Sequence, residues 1–363
     1  MNVSRWLRLV RCAVVVAVFC GWNLTGSAQL IRAPLDSGFS RTSTVAMTVD
    51  EMLGSQKTRS DEQPILGPGY PALWIAEVQY KPVRYVRMEV TDPVTGETKP
   101  ELVWYMVYRV IPRDYTELAG DSRDELLRKL DDPNRQPVNN VDEVVGLPLL
   151  RPRFVLHIDD SGEEKDYADE VNRQIQQKVF LREFRERAAG LTLVNSVEAI
   201  QEVGEPVSVL DDDQLRSAVY GVAVWRNVDP KTDYFSVMMS GFTNAYRISR
   251  DAAGEMLVEE KVVVQRFGRP GDEFLQDESE FRFIDSAGIR PNGDLVLEIE
   301  GTGSVFPPGR PEPAFVSELR ERLFSQDAAG GSQQLSWPTW EYRPRTANLT
   351  VPAFEAILRN AKR

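Results

Sequence analysis

The chain has 363 residues, and its 55 Asp and Glu against 43 Lys and Arg give a formal charge of −12 at pH 7. A surface of this sign repels nucleic acid and anionic lipid, so neither is expected as a partner. The sequence holds one histidine, which excludes metal motifs that need two histidine ligands.

The first 28 residues have the pattern of a secretory signal peptide. Three arginines precede an apolar run at 12–22, and the small residues Gly26, Ser27 and Ala28 follow where a signal peptidase cuts. The apolar run is about half of the roughly 20 residues that a membrane-spanning helix needs, so cleavage is favoured over a retained anchor. We therefore predict export to the periplasm, the cell envelope or the medium, with membrane attachment only through an uncleaved signal.

The cysteine pattern constrains how the exported part is stabilised. Both cysteines, Cys12 and Cys20, lie within the predicted signal peptide. The rest of the chain can therefore form no disulfide of its own and depends on a hydrophobic core. Residues 29–70, rich in Ser, Thr, Asp, Gly and Pro, predict a flexible lead-in to that core.

A first β-sandwich-like domain is predicted at 71–190. Its strands follow from apolar and alternating runs at 73–78, 83–90, 102–110 and 154–159. After Asp166 the apolar residues recur at steps of four instead of two, which predicts a helix at 167–188. This helix would connect the first domain to a second.

A second domain of the same kind is predicted at 191–345, with an insertion at about 288–336. Its strands are expected at 191–197, 219–225, 234–240, 261–267, 280–284, 294–299 and 340–342. Pro313 followed by Phe315, Leu319 and Leu323 predicts a helix, and a further helix is predicted at 346–363. Short strands with turn signals at this spacing favour a mainly β protein with two antiparallel, Ig-like sandwiches.

One segment of the second domain carries a recognisable motif. Residues 225–237 read W-x-x-V-D-P-x-T-D-x-F-S-V, and residues 241–246 read G-F-T-N-x-Y. With the runs at 103–110 and 152–157, this motif resembles an uncharacterised family of exported bacterial proteins. That family has no assigned activity, so the resemblance implies a fold and supplies no catalytic residues.

The turn at 229–233 within this motif has two interpretations. Asp229 and Pro230 suit an Asx-type turn between two core strands, and this structural role explains the residue types without a ligand. The alternative is a recognition loop. The binding residues would then be Asp229, Asp233, Asn244 and Tyr246.

Enzyme and metal motifs are scarce. The sequence contains neither a G-x-S-x-G nucleophile elbow nor a G-x-x-x-x-G-K-[ST] phosphate loop. His157 lies in a strand-like run, where a hydrogen-bonded structural role is the simplest interpretation. Acidic runs at 159–164 and 211–213 offer oxygen ligands for weak Ca²⁺ binding, but they lack the spacing of a calcium loop. We predict no cofactor and no metal site.

These patterns favour a non-enzymatic binding or structural module of the periplasm or cell envelope, with an envelope protein or a glycan as partner. The candidate contact surfaces are the loop at 229–233 and an aromatic hairpin around Trp74, Tyr80 and Tyr85. The alternative is a carboxylate-dependent hydrolase acting on a glycan. A cleft with two carboxyl groups about 5–10 Å apart would favour that alternative.

Overall fold

The computed structural model describes residues 38–43, 74–92, 95–113, 139–141, 149–158, 165–184, 191–208, 218–243, 245–250, 254, 256–269, 281–328 and 334–344. At 139–141, 245–250, 256–258 and 326–328 only the main chain is described. The predicted signal peptide, most of the lead-in, both acidic runs and the predicted helix at 346–363 lie outside these residues. So does Asn244.

The described residues form nineteen strands and two helices, which confirms the predicted mainly β fold. The strands are β1 (Arg41–Ser43), β2 (Ile75–Tyr80), β3 (Arg84–Thr91), β4 (Thr98–Arg113), β5 (Asn139–Val141), β6 (Leu149–Leu150), β7 (Arg153–Ile158), β8 (Lys165–Ala168), β9 (Leu193–Val194), β10 (Gln201–Glu202), β11 (Val219–Trp225), β12 (Tyr234–Ser240), β13 (Ala245–Arg250), β14 (Met256–Gly268), β15 (Arg282–Ile289), β16 (Leu295–Ile299), β17 (Thr302–Phe306), β18 (Gln334–Ser336) and β19 (Thr339–Pro344). The helices are α1 (Arg173–Glu183) and α2 (Ala314–Ala328).

The first sheet is built around the long strand β4. Its order is β1-β2-β4-β11-β9, and β3 pairs with β4 beyond the end of β2. The β9–β11 ladder is parallel and the other ladders of this sheet are antiparallel. Apolar side chains on both faces of β4 suit it to this central place, because a strand between two packed layers buries both of its faces.

The second sheet is larger and is built around β14. Its path is β17-β16-β15-β14-β12-β7-β8, with β13 and β19 also paired to β14. β18 pairs with β15, and β5 pairs with β13. β6 and β10 form a separate two-stranded ribbon.

The predicted division at residue 190 does not separate the two sheets. β11 comes from the second predicted domain and lies beside β4, while β7 comes from the first and lies beside β12. Residues Phe39–Arg363 accordingly form one compact unit. Alternating apolar residues identify the strands of each half, but they carry no information about which strands become neighbours.

The two sheets pack face to face around a large aromatic core. Trp104, Trp225, Phe154, Phe235 and Phe267 are fully buried members of this cluster. The Trp104 ring lies edge-on to the Phe235 ring, with centroids 5.3 Å apart. Aromatic pairs in this arrangement add to the stabilisation from burial alone.

A polar bridge and a glycine fix how the sheets meet. The Tyr80 hydroxyl, on the first sheet, donates a 3.0 Å hydrogen bond to Gln265 Oε1 on the second. Gly221 lies opposite Tyr108 in the β4–β11 ladder. A Cβ atom at Gly221 would lie 2.2 Å from the Tyr108 ring, so only glycine leaves room for that ring.

Helix α1 covers the outer face of the first sheet. It begins at Arg173, six residues later than predicted, because β8 takes in Tyr167 and the Asn172 side chain caps the helix. Ile175 and Val179 are buried against the sheet. Helix α2 covers part of the second sheet and forms a separate apolar cluster with β15 and β16. It confirms the helix expected after Pro313.

Beneath α1 lies a buried cluster of charges. Glu183 accepts hydrogen bonds from Lys81 Nζ at 3.0 Å, from Arg84 Nη1 at 2.7 Å and from the Tyr105 hydroxyl at 2.7 Å. The side chains of Lys81 and Glu183 are each 3% exposed. Burial alone would raise the pKa of Glu183, but Arg84, Lys81 and the Tyr105 hydroxyl hold it below its usual value.

Candidate functional site

A groove of about 490 Å³ crosses the outer face of the second sheet. It runs over β8, β7, β12, β14 and β19, and Glu318 of α2 lies at one end. We call it the outer groove. Its volume lies within the range of small-ligand and peptide pockets.

The alternation of side chains along the strands produces an aliphatic floor. On β7, Phe154 and Leu156 are buried in the core between the sheets, so Val155 faces the groove. Met238 of β12 and Val264 of β14 lie beside it, since Met238 is the ladder partner of both Val155 and Val264. Val262 continues this floor towards β19. The floor therefore combines branched aliphatic residues with a flexible methionine.

Two pairs of polar and charged side chains border the floor. His157 Nδ1 lies 2.7 Å from Asp166 Oδ1, and these side chains are 24% and 36% exposed. At the other end Arg153 pairs with Glu260. These pairs keep one side open to solvent, so their charges are available to a ligand.

Arg266 closes the groove on the side of α2. Its guanidinium carbon lies 4.7 Å from the centre of the Phe315 ring and 5.4 Å from that of Trp337. Its Nη2 lies 3.5 Å from Glu318 Oε1. Cation–π contacts of this kind favour a fixed guanidinium, so this wall is rigid in comparison with the exposed Glu318.

A buried carboxyl group lies at the β8 side of the groove. Asp169 accepts hydrogen bonds from the Ser196 hydroxyl and from the Phe154 N–H. Burial raises the pKa of Asp169 from 3.8 to about 6, although those hydrogen bonds and Arg153 act to lower it. Asp169 N–H also donates to Phe154 O at 3.1 Å, which ties the start of the α1 segment to β7.

The loop singled out in the sequence is a braced turn. Asp229 Oδ1 accepts the Lys231 N–H at 2.9 Å, as an Asx-type turn requires. Arg269 Nη2 donates to Thr232 O at 3.1 Å and lies 3.3 Å from Asp233 Oδ1. These contacts account for the residue types of the loop, and its role in binding remains a prediction.

The register places three of the four predicted binding residues in two separate regions. Tyr234, which follows Asp233, pairs with Gly268, whereas Tyr246 pairs with Glu260 on the same strand. Eight residues of strand span about 27 Å, so Asp229 and Asp233 do not share a site with Tyr246. Asn244 lies outside the described residues.

The aromatic hairpin is not a surface. Tyr80 is 0% exposed and Tyr85 is 8% exposed, and Trp74 packs against the core between the sheets. That expectation was wrong because all six residues of β2 are buried and Tyr85, near the start of β3, belongs to the same core cluster.

Sequence reasoning missed the outer groove. Its residues lie between Arg153 on β7 and Pro344 on β19, 191 positions apart, and no motif joins them. One signal was present: Arg153 and His157 alternate with core residues, which marks a polar face on an otherwise apolar strand.

Two of the carboxyl groups that line the groove lie on well-separated strands. Asp166 on β8 and Glu260 on β14 are three strand spacings apart, which is about 14 Å between strands. Each is engaged by a base, His157 and Arg153 respectively. Among the described residues no cluster of three His, Cys, Asp or Glu side chains has metal-binding geometry.

Neither described helix has the length and apolarity to cross a bilayer. No protein-family model matches the sequence, and no curated protein or solved structure matches it significantly.

Proposed function

We propose that the protein is a non-enzymatic binding module of the periplasm or cell envelope, and that its outer groove holds a segment of another polypeptide chain. The observation that carries this proposal is the aliphatic floor of the groove, bordered at one end by the Arg153–Glu260 ion pair and at the other by the His157–Asp166 pair. The signal-peptide pattern of the first 28 residues supports the location.

The floor supports binding of apolar side chains. Val155 and Met238 are half-buried, so a ligand can still remove part of their surface from water. Burying one Leu- or Phe-sized side chain contributes roughly 1.5–3 kcal/mol. Methionine adapts its shape to different apolar partners, which suits a site that accepts a flexible segment.

The rim supports recognition of a polypeptide over a purely apolar ligand. The Arg153–Glu260 and His157–Asp166 pairs are partly exposed, and pairs of this kind contribute at most about 1 kcal/mol in the free protein. A ligand can therefore exchange partners with them at little cost. Alternating charges beside an apolar floor match an amphipathic segment that carries acidic and basic residues.

A hydrolase acting on a glycan is less well supported. Such an enzyme needs two carboxyl groups about 5–10 Å apart, and one of them must be free to donate a proton. The groove offers Asp166 and Glu260 on distant strands, each beside a base. The remaining acid with a raised pKa, Asp169, is held by Ser196 and the β7 main chain.

The experiment is a selection of peptides on the whole protein. A library of random 12-residue peptides is selected on the wild type, and the affinity of each enriched peptide is then measured on Met238→Glu, which places a charge on the floor. We expect amphipathic peptides that lose at least tenfold in affinity on Met238→Glu. The matched control is Lys231→Glu, because Lys231 is exposed on the braced turn far from the groove.

Three results would count against the proposal. One is that no peptide is enriched. Another is that enriched peptides bind Met238→Glu as well as they bind the wild type. The third is that the wild type binds glycans on an array and Met238→Glu does not. That result would show that the groove binds a glycan instead of a polypeptide.

A further inference from the structure

We propose that residues 345–363 of the same chain occupy the outer groove until a partner segment displaces them. This inference rests on the proposed function, because it assigns that groove a resident ligand. Its starting point is the end of β19: Arg343 and Pro344 both line the groove, so the chain continues from the groove's own rim.

The length of the segment fits the groove. From β8 through β7, β12 and β14 to β19 there are four strand spacings, or about 19 Å. The segment after Pro344 has 19 residues, and a helix of about 13 residues already spans that distance. Six residues then remain to join such a helix to β19.

The segment has the apolar pattern that the floor requires. Val351, Phe354 and Ile357 recur at steps of three residues, and Leu358 lies four residues after Phe354, a spacing that favours one apolar face of a helix. Pro352 is tolerated in the first turn of that helix. This stripe would cover Val155 and Met238.

Charge complementarity points to the same place. The segment 345–363 carries four basic residues and one acid, whereas the whole chain has an excess of acids. The groove carries the acids Asp166, Glu260 and Glu318 beside three arginines, so it offers carboxylates to the basic residues of the segment and guanidinium groups to its one acid. A basic segment tethered beside these carboxylates has an effective concentration in the millimolar range, so it competes with a partner in solution.

The first test is a photo-crosslinking experiment on the full chain. p-Benzoylphenylalanine replaces Phe354, and the crosslinked protein is digested and sequenced by mass spectrometry. We expect an intramolecular link to Met238 or its neighbours on the floor. The same probe at Phe324, which is 52% exposed on α2, should give no link to the floor. Links from position 354 to other parts of the body, or no intramolecular link, would overturn the inference.

The second test uses a peptide from the selection described above and the full-length variant Phe354→Glu. If residues 345–363 occupy the groove, this variant should bind the peptide at least tenfold more tightly than the wild type. Equal binding to both, with loss of binding on Met238→Glu, would refute the resident segment and leave the proposed function standing. A crosslink from position 354 to the floor without any peptide binding to Phe354→Glu would support the resident segment and refute the proposed function.

Discussion

The two outer faces of the sandwich use similar residues in opposite ways. On the first sheet, Glu183 lies under α1 with Lys81, Arg84 and Tyr105, and the Lys81 and Glu183 side chains are almost fully buried. On the second sheet, the Arg153–Glu260 and His157–Asp166 pairs surround an aliphatic floor and remain partly in solvent.

The difference shows which charges stabilise the fold and which are available for binding. A buried carboxylate with three donors cannot change partners without leaving charges uncompensated in a medium of low dielectric. A half-exposed pair exchanges partners readily, because water compensates either charge. The presence of a covering helix, more than residue type, separates the sealed face of the first sheet from the open face of the second.

The largest expected loss of stability comes from disrupting the buried charge cluster on the sealed face. Glu183→Ala leaves Lys81 buried without its carboxylate and should lower the free energy of unfolding by about 3–5 kcal/mol. Urea denaturation at pH 7 measures this loss. The control is Glu97→Ala, since Glu97 and Lys99 form a pair whose side chains are 60% and 68% exposed. A loss below 1 kcal/mol for Glu183→Ala would contradict the distinction between the faces.

The second prediction concerns how stability depends on pH through Asp169, at the edge of the groove on the open face. The pKa of Asp169 is raised to about 6 in the folded protein, so between pH 4 and 6 the native state binds a proton that the unfolded state lacks. Stability due to this group therefore rises as pH falls through the range from about 6 to 4, and the complete titration contributes about 3 kcal/mol. Comparing urea denaturation of the wild type with that of Asp169→Asn isolates this contribution, because the amide does not titrate. A difference between them that is independent of pH would rule out the shift.

The third prediction tests the core that both faces share. Gly221→Ala would place a Cβ against the Tyr108 ring, and overpacking of this kind typically costs about 1–3 kcal/mol. Gly204→Ala is the matched control, since no atom lies within 4 Å of its added Cβ. Thermal denaturation of both variants should show a lowered midpoint for the first alone. Equal midpoints would mean that the two sheets can shift to accept the methyl group.

The smallest effect on stability is expected on the open face. Arg153→Ala removes one partner of a pair whose side chains are 44% and 24% exposed. We expect it to change the free energy of unfolding by less than about 1 kcal/mol while it weakens binding of the selected peptide. A large loss of stability with unchanged peptide binding would assign this pair to the fold, as on the sealed face.

Sequence patterns predicted individual strands well where alternation or a continuous apolar run was strong. β11 and β12 were predicted with their observed ends, because their apolar runs stop at clear turn residues. β13 and β17 were missed, since both mix polar and apolar residues without a sustained period. The start of α1 was misplaced because Tyr167 and Val171 also fit a four-residue step, although Val171 is 51% exposed.

The candidate site was beyond sequence reasoning for a different reason. The outer groove exists because β7, β12 and β14 are neighbours, and this pairing joins residues that no local pattern connects. Asp229 was correctly assigned to a turn from its local chemistry. Local chemistry predicts turns and caps, whereas a binding surface made of several strands depends on their order in the sheet.

The pairing of β4 with β11 has a consequence for how the chain is made. Val110 and Val219 are partners in this ladder although 109 positions separate them, so contact order in the first sheet is high and slow folding is expected. Until β11 has been synthesised, β4 lacks the neighbour on one of its edges. A growing chain therefore stays incompletely folded until β11, which ends at Trp225, has been made.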